Sequence, residues 1–183
     1  DFVEDNFDFS NVSVEDLNRT DLYQACDEAN NLRDKMLNYD DYLISLNMKC
    51  DFYVDNVDTI DRVSQLTSKT NQFNFFKEGY APHHIKSLCD SLDNLVFSLN
   101  VEDRFGALGI TSVSLVNFRD HNFYIESFLM SCRVIERKVE YFFLKQIVLY
   151  ISNNYSFVNI FIKFKNSSKN APAFNFLNDL DTV

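Results

Sequence analysis

Residues 128–140 read Phe-Leu-Met-Ser-Cys-Arg-Val-Ile-Glu-Arg-Lys-Val-Glu, an apolar run, then a polar corner, then an amphipathic segment. This order predicts a β-strand that ends at Ser131, Cys132 and Arg133 and turns directly into an α-helix. Such corners of mixed α/β folds hold phosphates and thioesters, because a helix N-terminus offers unpaired N–H groups and a positive dipole end. We therefore expect the function to depend on this corner.

The sequence on both sides of the corner predicts alternating strands and helices. Segments with the composition of β-strands are 49–54, 95–101, 110–118, 123–130 and 157–164. Segments with helical spacing or helix-start signals are 13–36, 40–46, 57–70, 82–89, 138–153 and 172–180. A meander of antiparallel strands followed by strand–helix–strand–helix predicts an α/β (α+β) fold, a mixed and mostly antiparallel sheet with helices on both faces.

Three local features refine this outline. The capping pattern at 13–16, together with the predicted cap Asp40, starts an N-terminal helical segment. Residues 106–109 are predicted to link two strands through Gly106 and Gly109, and 119–122 to form a hairpin turn. Residues 1–12 are acidic and aromatic without a period, as in a leader.

The charge is unevenly distributed along the 183 residues. The net charge of −10 argues against a nucleic-acid partner. Residues 1–62 carry 16 acidic and 5 basic side chains, whereas 133–169 carry 7 basic and 2 acidic ones. The basic stretch is either an ordinary solvated surface or a landing site for an acidic or phosphorylated partner.

Composition also limits the function classes. No apolar run approaches the roughly 18 residues of a membrane span, and we find no signal-peptide pattern. The four cysteines are far apart in the sequence and include no CxxC pair, so we expect neither a zinc site nor disulfides. A reducing compartment, and therefore a cytoplasmic protein, is the expectation. His83, His84 and His121 have no companions at metal-ligand spacing. Three glycines are too few for a Gly-rich nucleotide fingerprint.

Cys132 and Arg133 are the first candidate site residues. A cysteine beside a helix N-terminus and an arginine favours the thiolate, which could accept an acyl group by thioester exchange. The alternative for Cys132 is a small buried apolar side chain. Arg133 either pairs a phosphate or carboxylate, or forms a salt bridge with the acidic N-terminal half.

Amide and basic residues supply the other candidates. Asn71, Gln72 and Asn74 could fix acyl hydroxyls or a thioester carbonyl, or could serve only as capping residues. Lys169 could meet a phosphate, while Asn170 precedes a helix start and is a natural N-cap. Residues 103–106 place an ion pair before a glycine turn, where Asp103 and Phe105 are interpreted as loop support. No Ser/His/Asp arrangement is recognisable, so the general base is unassigned.

Four segments resemble motifs of FkbH-like proteins, in family order across about residues 13–180. They are 65–74 (QLTSKTNQFN), 103–109 (DRFGALG), 129–134 (LMSCRV) and 169–173 (KNAPA). Four motifs in the correct order are far more specific than any one of them. The order of predicted elements is likewise similar to that of the GNAT acyltransferase fold.

The resemblance implies a particular organisation and activity. FkbH-like proteins couple an N-terminal haloacid-dehalogenase-type phosphatase domain to a C-terminal GNAT-like domain. It thus implies that residues 1–47 are a leader after a phosphatase domain absent from this sequence, and that 48–183 are the acyltransferase domain. Better-understood members make glyceryl thioesters from a phosphorylated donor and load them on an acyl carrier protein, the implied partner here besides the phosphatase domain.

The resemblance also implies roles for individual residues. Cys132 would be catalytic. The residues implied to bind the pantetheine or coenzyme A phosphate are Arg133, Arg137, Lys138 and Lys169. The residues implied to bind substrate are Asn71, Gln72, Asn74, Arg104 and Asn170. No metal is expected in this domain.

One departure from the family pattern concerns the corner itself. FkbH-like proteins usually read Cys-Arg-Val-x-Gly-Arg-Gly there, whereas this chain has Glu136 and Lys138 in place of both glycines. Glycine permits close backbone approach to a pyrophosphate, so we expect coenzyme A to bind weakly and a carrier-borne pantetheine arm to be affected less. An N-acetyltransferase that uses acetyl coenzyme A, and an inactive carrier-docking module, remain as alternatives.

Overall fold

The structure is a computed structural model that describes residues 19–180, and it divides into two compact units. Of the described residues, the first unit comprises 19–48 together with 103–107, and the second comprises 49–102 and 108–180. The acidic segment at 1–12 and the capping pattern at 13–16 lie outside the described residues.

The first unit contains two helices, α1 (Arg19–Lys35) and α2 (Tyr39–Ser45). Ala29, Tyr42 and Leu46 form its small buried core. The cap of α2 is Asn38, whose Oδ1 accepts the Asp40 N–H at 2.8 Å. The prediction that Asp40 caps this helix is wrong, because Asp40 already lies in the first helical turn.

The other elements described are six strands and four helices. The strands are β1 (Lys49–Val54), β2 (Phe73–Asn74), β3 (Asn94–Asp103), β4 (Gly106–Arg119), β5 (Asn122–Met130) and β6 (Ile160–Ile162). The helices are α3 (Ile60–Lys69), α4 (Pro82–Cys89), α5 (Val139–Asn154) and α6 (Ala171–Leu180), with 3₁₀ turns at Val57–Thr59 and Cys132–Val134.

The strands form one mixed sheet in the order β1-β3-β4-β5-β2, with β6 also paired to β5. Strands β1 and β3, β4 and β5, and β2 and β5 pair in antiparallel fashion, whereas β5 and β6 are parallel. The predicted class, a mostly antiparallel mixed sheet with helices, is confirmed.

Helices cover the two faces of the sheet with different cores. Val63 and Leu66 on α3 and Ile85 on α4 pack with Val113 and Leu129 of the sheet. Because Val63 and Leu66 are three residues apart, they lie on one side of the helix. This set of contacts defines the α3/α4 face of the sheet.

An aromatic core fills the opposite side. Val139, Phe143, Ile147 and Ile151 recur every four residues and form the buried stripe of α5. Phe143 packs on Phe128 of β5 with ring centroids 5.3 Å apart. Phe128 in turn stacks on Phe176 of α6 at 6.0 Å. The predicted helix over 138–153 is therefore present and faces the sheet as its spacing indicated.

Two predicted segments differ from the structure. Residues 106–109 do not link strands, because β3 runs to Asp103 and β4 already starts at Gly106. Gly106 and Gly109 adopt φ angles of 145° and 74° inside β4, which only glycine adopts at low cost. The strand predicted at 157–164 shortens to Ile160–Ile162.

The shortening of β6 has a cause in the sheet. β6 pairs only with Phe123–Ile125 at the start of β5, and a bulge follows in that part of β5. At the other end of β5, residues 73–75 take the neighbouring position. The Phe75 N–H donates to the Phe128 carbonyl at 3.0 Å, and the Phe75 carbonyl accepts the Lys165 N–H at 2.8 Å. Residues 73–75 thus fill the gap between β5 and the chain that follows β6.

Candidate functional site

The corner after β5 is longer than the sequence predicted. The Ser131 N–H donates to the Thr111 carbonyl at 2.7 Å, and the Ser131 Oγ accepts the Arg133 N–H at 3.4 Å, which starts the 3₁₀ turn. Helix α5 begins only at Val139. The prediction that the strand turns directly into the helix is therefore wrong, and Cys132 is the first residue of a short 3₁₀ turn capped by Ser131 instead of lying beside the first turn of α5.

Two residues of the corner adopt the left-handed backbone conformation that glycine favours, although neither is a glycine. Glu136 and Lys138 have φ angles of 62° and 58°, both in the left-handed region. These are the two positions at which the FkbH-like pattern carries glycine. The backbone conformation that glycine favours is therefore retained, and each position adds a side chain and some strain.

Cys132 and the basic residues predicted to bind phosphate differ in their exposure to solvent. Cys132 and Lys138 are exposed, as is Lys169. Arg133 is half-buried, and its Nη1 donates to the Leu108 carbonyl at 3.4 Å. Arg137 is buried at 5% exposure, so its guanidinium is held inside the protein. The exposure of Cys132 excludes the alternative of a buried apolar side chain.

The predicted amide residues divide into surface and interior groups. Asn71 and Gln72 are exposed, and the Asn71 Oδ1 accepts a hydrogen bond from the Lys77 ammonium. Asn74 is buried at 2% exposure in β2, directly opposite Leu129 of β5. Only Asn74 is therefore placed by the sheet itself.

Asn170 connects three segments of the chain. Its Nδ2 donates to the carbonyls of Asn74 and Lys165 at 2.9 and 3.1 Å. Its Oδ1 accepts from the N–H and the Oγ of Ser167 at 2.8 and 3.0 Å. These four bonds use its full hydrogen-bonding capacity. The amide holds the loop before α6 against β2, so we do not retain it as a substrate ligand.

The contacts join three of the four motifs that carry the resemblance. Residues 73–74 pair with 129–130, and the Asn170–Asn74 hydrogen bond attaches the segment at 169–173. Arg104 belongs to the first unit, where its N–H donates to the Leu46 carbonyl at 2.9 Å and its guanidinium lies 5.3 Å from the Phe105 ring centroid. In that unit Asp103 supports the loop, since its Oδ1 accepts the Phe105 N–H.

A polar seam on the α3/α4 face was not predicted. We use this name for Thr67, Thr70, Asn74 and Ser127, all buried. The Asn74 Nδ2 donates to the Thr70 carbonyl at 3.1 Å, and the Thr67 Oγ1 accepts the Tyr80 N–H at 3.0 Å. Sequence spacing could not reveal the seam, because it joins residues from β2, β5 and the end of α3.

Two atoms of the polar seam lack partners. The Asn74 Oδ1 and the Ser127 Oγ are buried and find no hydrogen-bond partner among residues 19–180. Asn74 is opposite Leu129, and Ser127 lies two residues before Leu129, so both side chains project from the same face, diagonally and roughly 7 Å apart. Buried polar atoms are nearly always paired, so this position suits a water molecule or a polar group of a ligand.

Glu140 is the titratable group of the corner with a shifted pKa. Burial raises the pKa of its carboxyl, and the nearby Glu136 charge adds to the rise, while a backbone hydrogen bond acts against it. Within the described chain its Oε2 is buried without a hydrogen-bond partner. The sequence gave no sign of this, since the second residue of a helix is ordinarily a favourable place for an acid.

The described part of the chain gives two further results. Residues 19–180 contain no helix long and apolar enough to span a membrane. They also contain no group of three or more His, Cys, Asp and Glu side chains arranged to hold a metal ion.

Comparison with solved structures identifies the fold. An aminoglycoside acetyltransferase from an uncultured soil metagenomic sample, in complex with sisomicin, has a TM-score of 0.53 at 11% identity and covers 72% of this chain and 86% of its own. The aminoglycoside N-acetyltransferase AAC(6')-Iy, in complex with CoA, has a TM-score of 0.52 at 9% identity and covers 73% and 87%.

A possible acetyltransferase from Clostridium difficile 630 is similar to the same extent, with a TM-score of 0.51 at 8% identity, covering 72% of this chain and 89% of its own. Neither a protein-family model nor a curated protein sequence matches this chain. At such low identities the likeness concerns the fold. The chain has the fold of the GNAT-type acetyltransferases.

Proposed function

We propose that this chain is an acyltransferase that moves a small acyl group from a thioester donor. The observation that carries the proposal is the likeness in fold to solved acetyltransferases over 86–89% of their length. One of these was solved with CoA, which is itself a thiol that carries acyl groups. The FkbH-like motifs support the same reaction class independently of the fold comparison.

We place the covalent step at Cys132, because its thiol is exposed at the end of β5. The thiolate attacks the carbonyl carbon of the donor thioester. The bond from the acyl carbon to the Cys132 sulfur forms as the bond to the donor sulfur breaks, and the donor leaves as a thiol with the proton that Cys132 gave up. A second exchange passes the acyl group to an acceptor thiol and restores Cys132.

The corner suits a donor with one phosphate better than coenzyme A. Lys138 and Lys169 present exposed ammonium groups, and the left-handed corner at Glu136 and Lys138 adds backbone N–H groups. Glu136 adds a negative charge at a position where glycine would leave room. A phosphopantetheine arm on an acyl carrier protein therefore fits the donor or acceptor role better than the more highly phosphorylated coenzyme A. A phosphatase domain would supply the dephosphorylation step.

The covalent step is tested by mass spectrometry of the intact chain. Incubation with acetyl-CoA, and separately with an acetylated phosphopantetheine carrier protein, should add one acetyl group that hydroxylamine removes. Cys132→Ser should abolish the adduct without loss of fold, since the change in volume is small. An adduct that persists in Cys132→Ser ends the covalent proposal.

Cys89→Ser is the matched control. Cys89 is half-buried on α4, and burial, followed by the charges of Asp55 and Asp90, raises the pKa of its thiol to about 11. The thiol of Cys89 therefore stays protonated near neutral pH and should carry no adduct. The adduct should be unchanged in this variant.

A second candidate is an acetyl-CoA-dependent N-acetyltransferase. It is favoured by the solved neighbour with sisomicin, an aminoglycoside, and by the polar seam, whose Asn74 Oδ1 could accept an N–H from an amine. Here transfer would be direct and would survive Cys132→Ser. Isothermal titration separates the candidates: micromolar coenzyme A binding supports this one, whereas carrier binding without turnover supports an inactive docking module.

A further inference from the structure

Three charged side chains form a cluster at the β4–β5–β6 end of the sheet. Glu126 is paired to two cations through different oxygens. Its Oε1 lies 3.3 Å from the Arg119 Nη1, and its Oε2 lies 3.2 Å from the Lys163 Nζ. One carboxylate therefore faces two positive charges, and the cluster of Arg119, Glu126 and Lys163 has a formal charge of +1 in a chain of net charge −10.

Aromatic rings hold both cations in place. The Arg119 guanidinium lies 3.9 Å from the Tyr124 ring centroid, and the Lys163 Nζ lies 3.9 Å from the Phe76 ring centroid. Tyr124 is itself stacked on Phe161 at 5.1 Å. Contacts over ring faces at this distance are attractive, and they reduce the rotamer freedom that a long side chain must otherwise lose on binding.

The exposure of the three side chains differs in a useful way. The side chains of Arg119 and Lys163 are 52% and 43% exposed, whereas that of Glu126 is 26% exposed. The carboxylate therefore lies deeper than the two cations. The two cations are thus the more accessible part of the cluster, and the Arg119 Nη1 also donates to the Asn117 Oδ1 at 3.3 Å.

The cluster is separate from the corner. Cys132 follows Glu126 by six positions along β5 and its end, which at about 3.3 Å per residue corresponds to roughly 15–20 Å. Tyr124 pairs with Asn117 and Phe161, and the neighbouring Phe123 packs on Tyr155 after α5, so the cluster occupies the face opposite α5. This is the face that carries the polar seam.

We propose that Arg119 and Lys163 bind an oxyanion, the carboxylate or phosphate group of a small ligand on this face. Glu126 neutralises one of the two charges in the free protein, and the ligand anion joins the pair from the solvent side. The fixed guanidinium fork suits either anion. The nearby Glu78, which accepts the Tyr80 hydroxyl at 2.9 Å, limits the affinity for anions to a modest value.

The test is an NMR titration of the full chain at low ionic strength, with sodium phosphate in one series and sodium acetate in another. Shifts should be confined to the amides of 117–126 and 160–164, with a dissociation constant on the order of millimolar. Arg119→Gln and Lys163→Gln should each weaken binding about fivefold or more. Lys163→Arg should retain it. Tighter phosphate binding assigns a phosphate group, and tighter acetate binding a carboxylate.

Glu126→Gln gives the sharpest outcome, because it removes the internal competitor and should tighten binding several-fold. Lys49→Gln is the control, since Lys49 pairs with Glu102 at 3.6 Å on the surface of β1 and β3, outside the cluster. Unchanged or weaker binding in Glu126→Gln overturns the proposal. So does a loss in Lys49→Gln equal to that in Arg119→Gln, which would show non-specific screening.

Discussion

The buried carboxyl of Glu140 lowers the free energy of unfolding by an amount that depends on pH. Burial raises the pKa of its carboxyl in the folded state above the value of about 4.3 expected in the unfolded chain. Between these two values the folded state binds more protons, so stability falls as pH rises through this interval. Above the raised pKa the penalty is fully present. Below the unfolded pKa it is absent.

We therefore expect Glu140→Gln to raise the melting temperature at pH 7 and to have little effect near pH 4. Asp61→Asn is the control, because Asp61 is an exposed acid in the first turn of α3. It should give no gain at pH 7, where loss of a favourable helix-dipole contact acts against it. The melting temperatures are measured by circular dichroism during thermal unfolding at pH 4 and pH 7. An equal shift of Glu140→Gln at pH 4 and pH 7 would rule out ionisation as the cause.

For single residues, the sequence predicted the position relative to strands and helices more reliably than the burial and the contacts of the side chain. Cys132 was correctly placed just after β5, but it does not lie beside the first turn of α5, which begins only at Val139. The burial of Arg137 was not predictable, because an arginine two residues before the start of α5 gives no periodic signal. Asn170 was recognised as the residue before a helix, but its hydrogen bond to the Asn74 carbonyl, 96 residues away, arises only from tertiary structure.

At the scale of elements, α5 is preceded by two residues in strained backbone. Replacing Glu136 and Lys138 by glycine should relieve the left-handed strain, and we expect each change to stabilise the protein by about 0.5–1 kcal/mol after the entropy of the unfolded glycine is subtracted. Urea unfolding measures this as a higher midpoint. Lys145→Gly, at an exposed position inside α5, should instead destabilise by about 1 kcal/mol.

The same double variant tests the phosphate site of the corner. Coenzyme A should bind the natural chain with a dissociation constant on the order of millimolar and the double-glycine variant more tightly, because the backbone N–H groups become accessible and the Glu136 charge is gone. Isothermal titration gives both values. If stability rises while affinity does not, the missing glycines are not the reason for weak binding.

Strands and helices were predicted well where residues close in sequence mark their ends. Strand β1 and helix α4 have the predicted bounds, because polar breaks and Pro82 mark their ends within the sequence. Strand β6 was predicted too long, since the chain leaves β5 after Lys163 and the Lys165 N–H donates to the Phe75 carbonyl, a contact across 90 residues. The polar seam and the Arg119–Glu126–Lys163 cluster join separate elements, so periodicity could not show them.

At the scale of the whole molecule, the basic stretch at 137–169 is the expected face for an acidic carrier protein. Of its lysines, Lys163 is paired to Glu126, so Lys165 and Lys169 are the better test positions. Changing both to Glu should slow association with a phosphopantetheine carrier protein about tenfold at low salt, with a smaller effect above physiological ionic strength.

Stopped-flow association rates measure this effect. Lys49→Glu is the control, because it reverses one exposed lysine outside the stretch and so makes half of the change in charge. Slowing by Lys49→Glu in proportion to that change would indicate a response to net charge alone. Unchanged rates in the Lys165 and Lys169 variant would move the docking face elsewhere.

The two-residue strand β2 has a consequence for the solubility of the protein. A strand that diverges from its parallel neighbour exposes a row of unpaired N–H and C=O groups, which is a template for another chain. Residues 73–75 cover that row on β5, and the Lys165 N–H closes the outer side of Phe75. The sheet thereby protects the largely buried strand β5 from intermolecular pairing, with a segment so short that it exposes little new edge of its own.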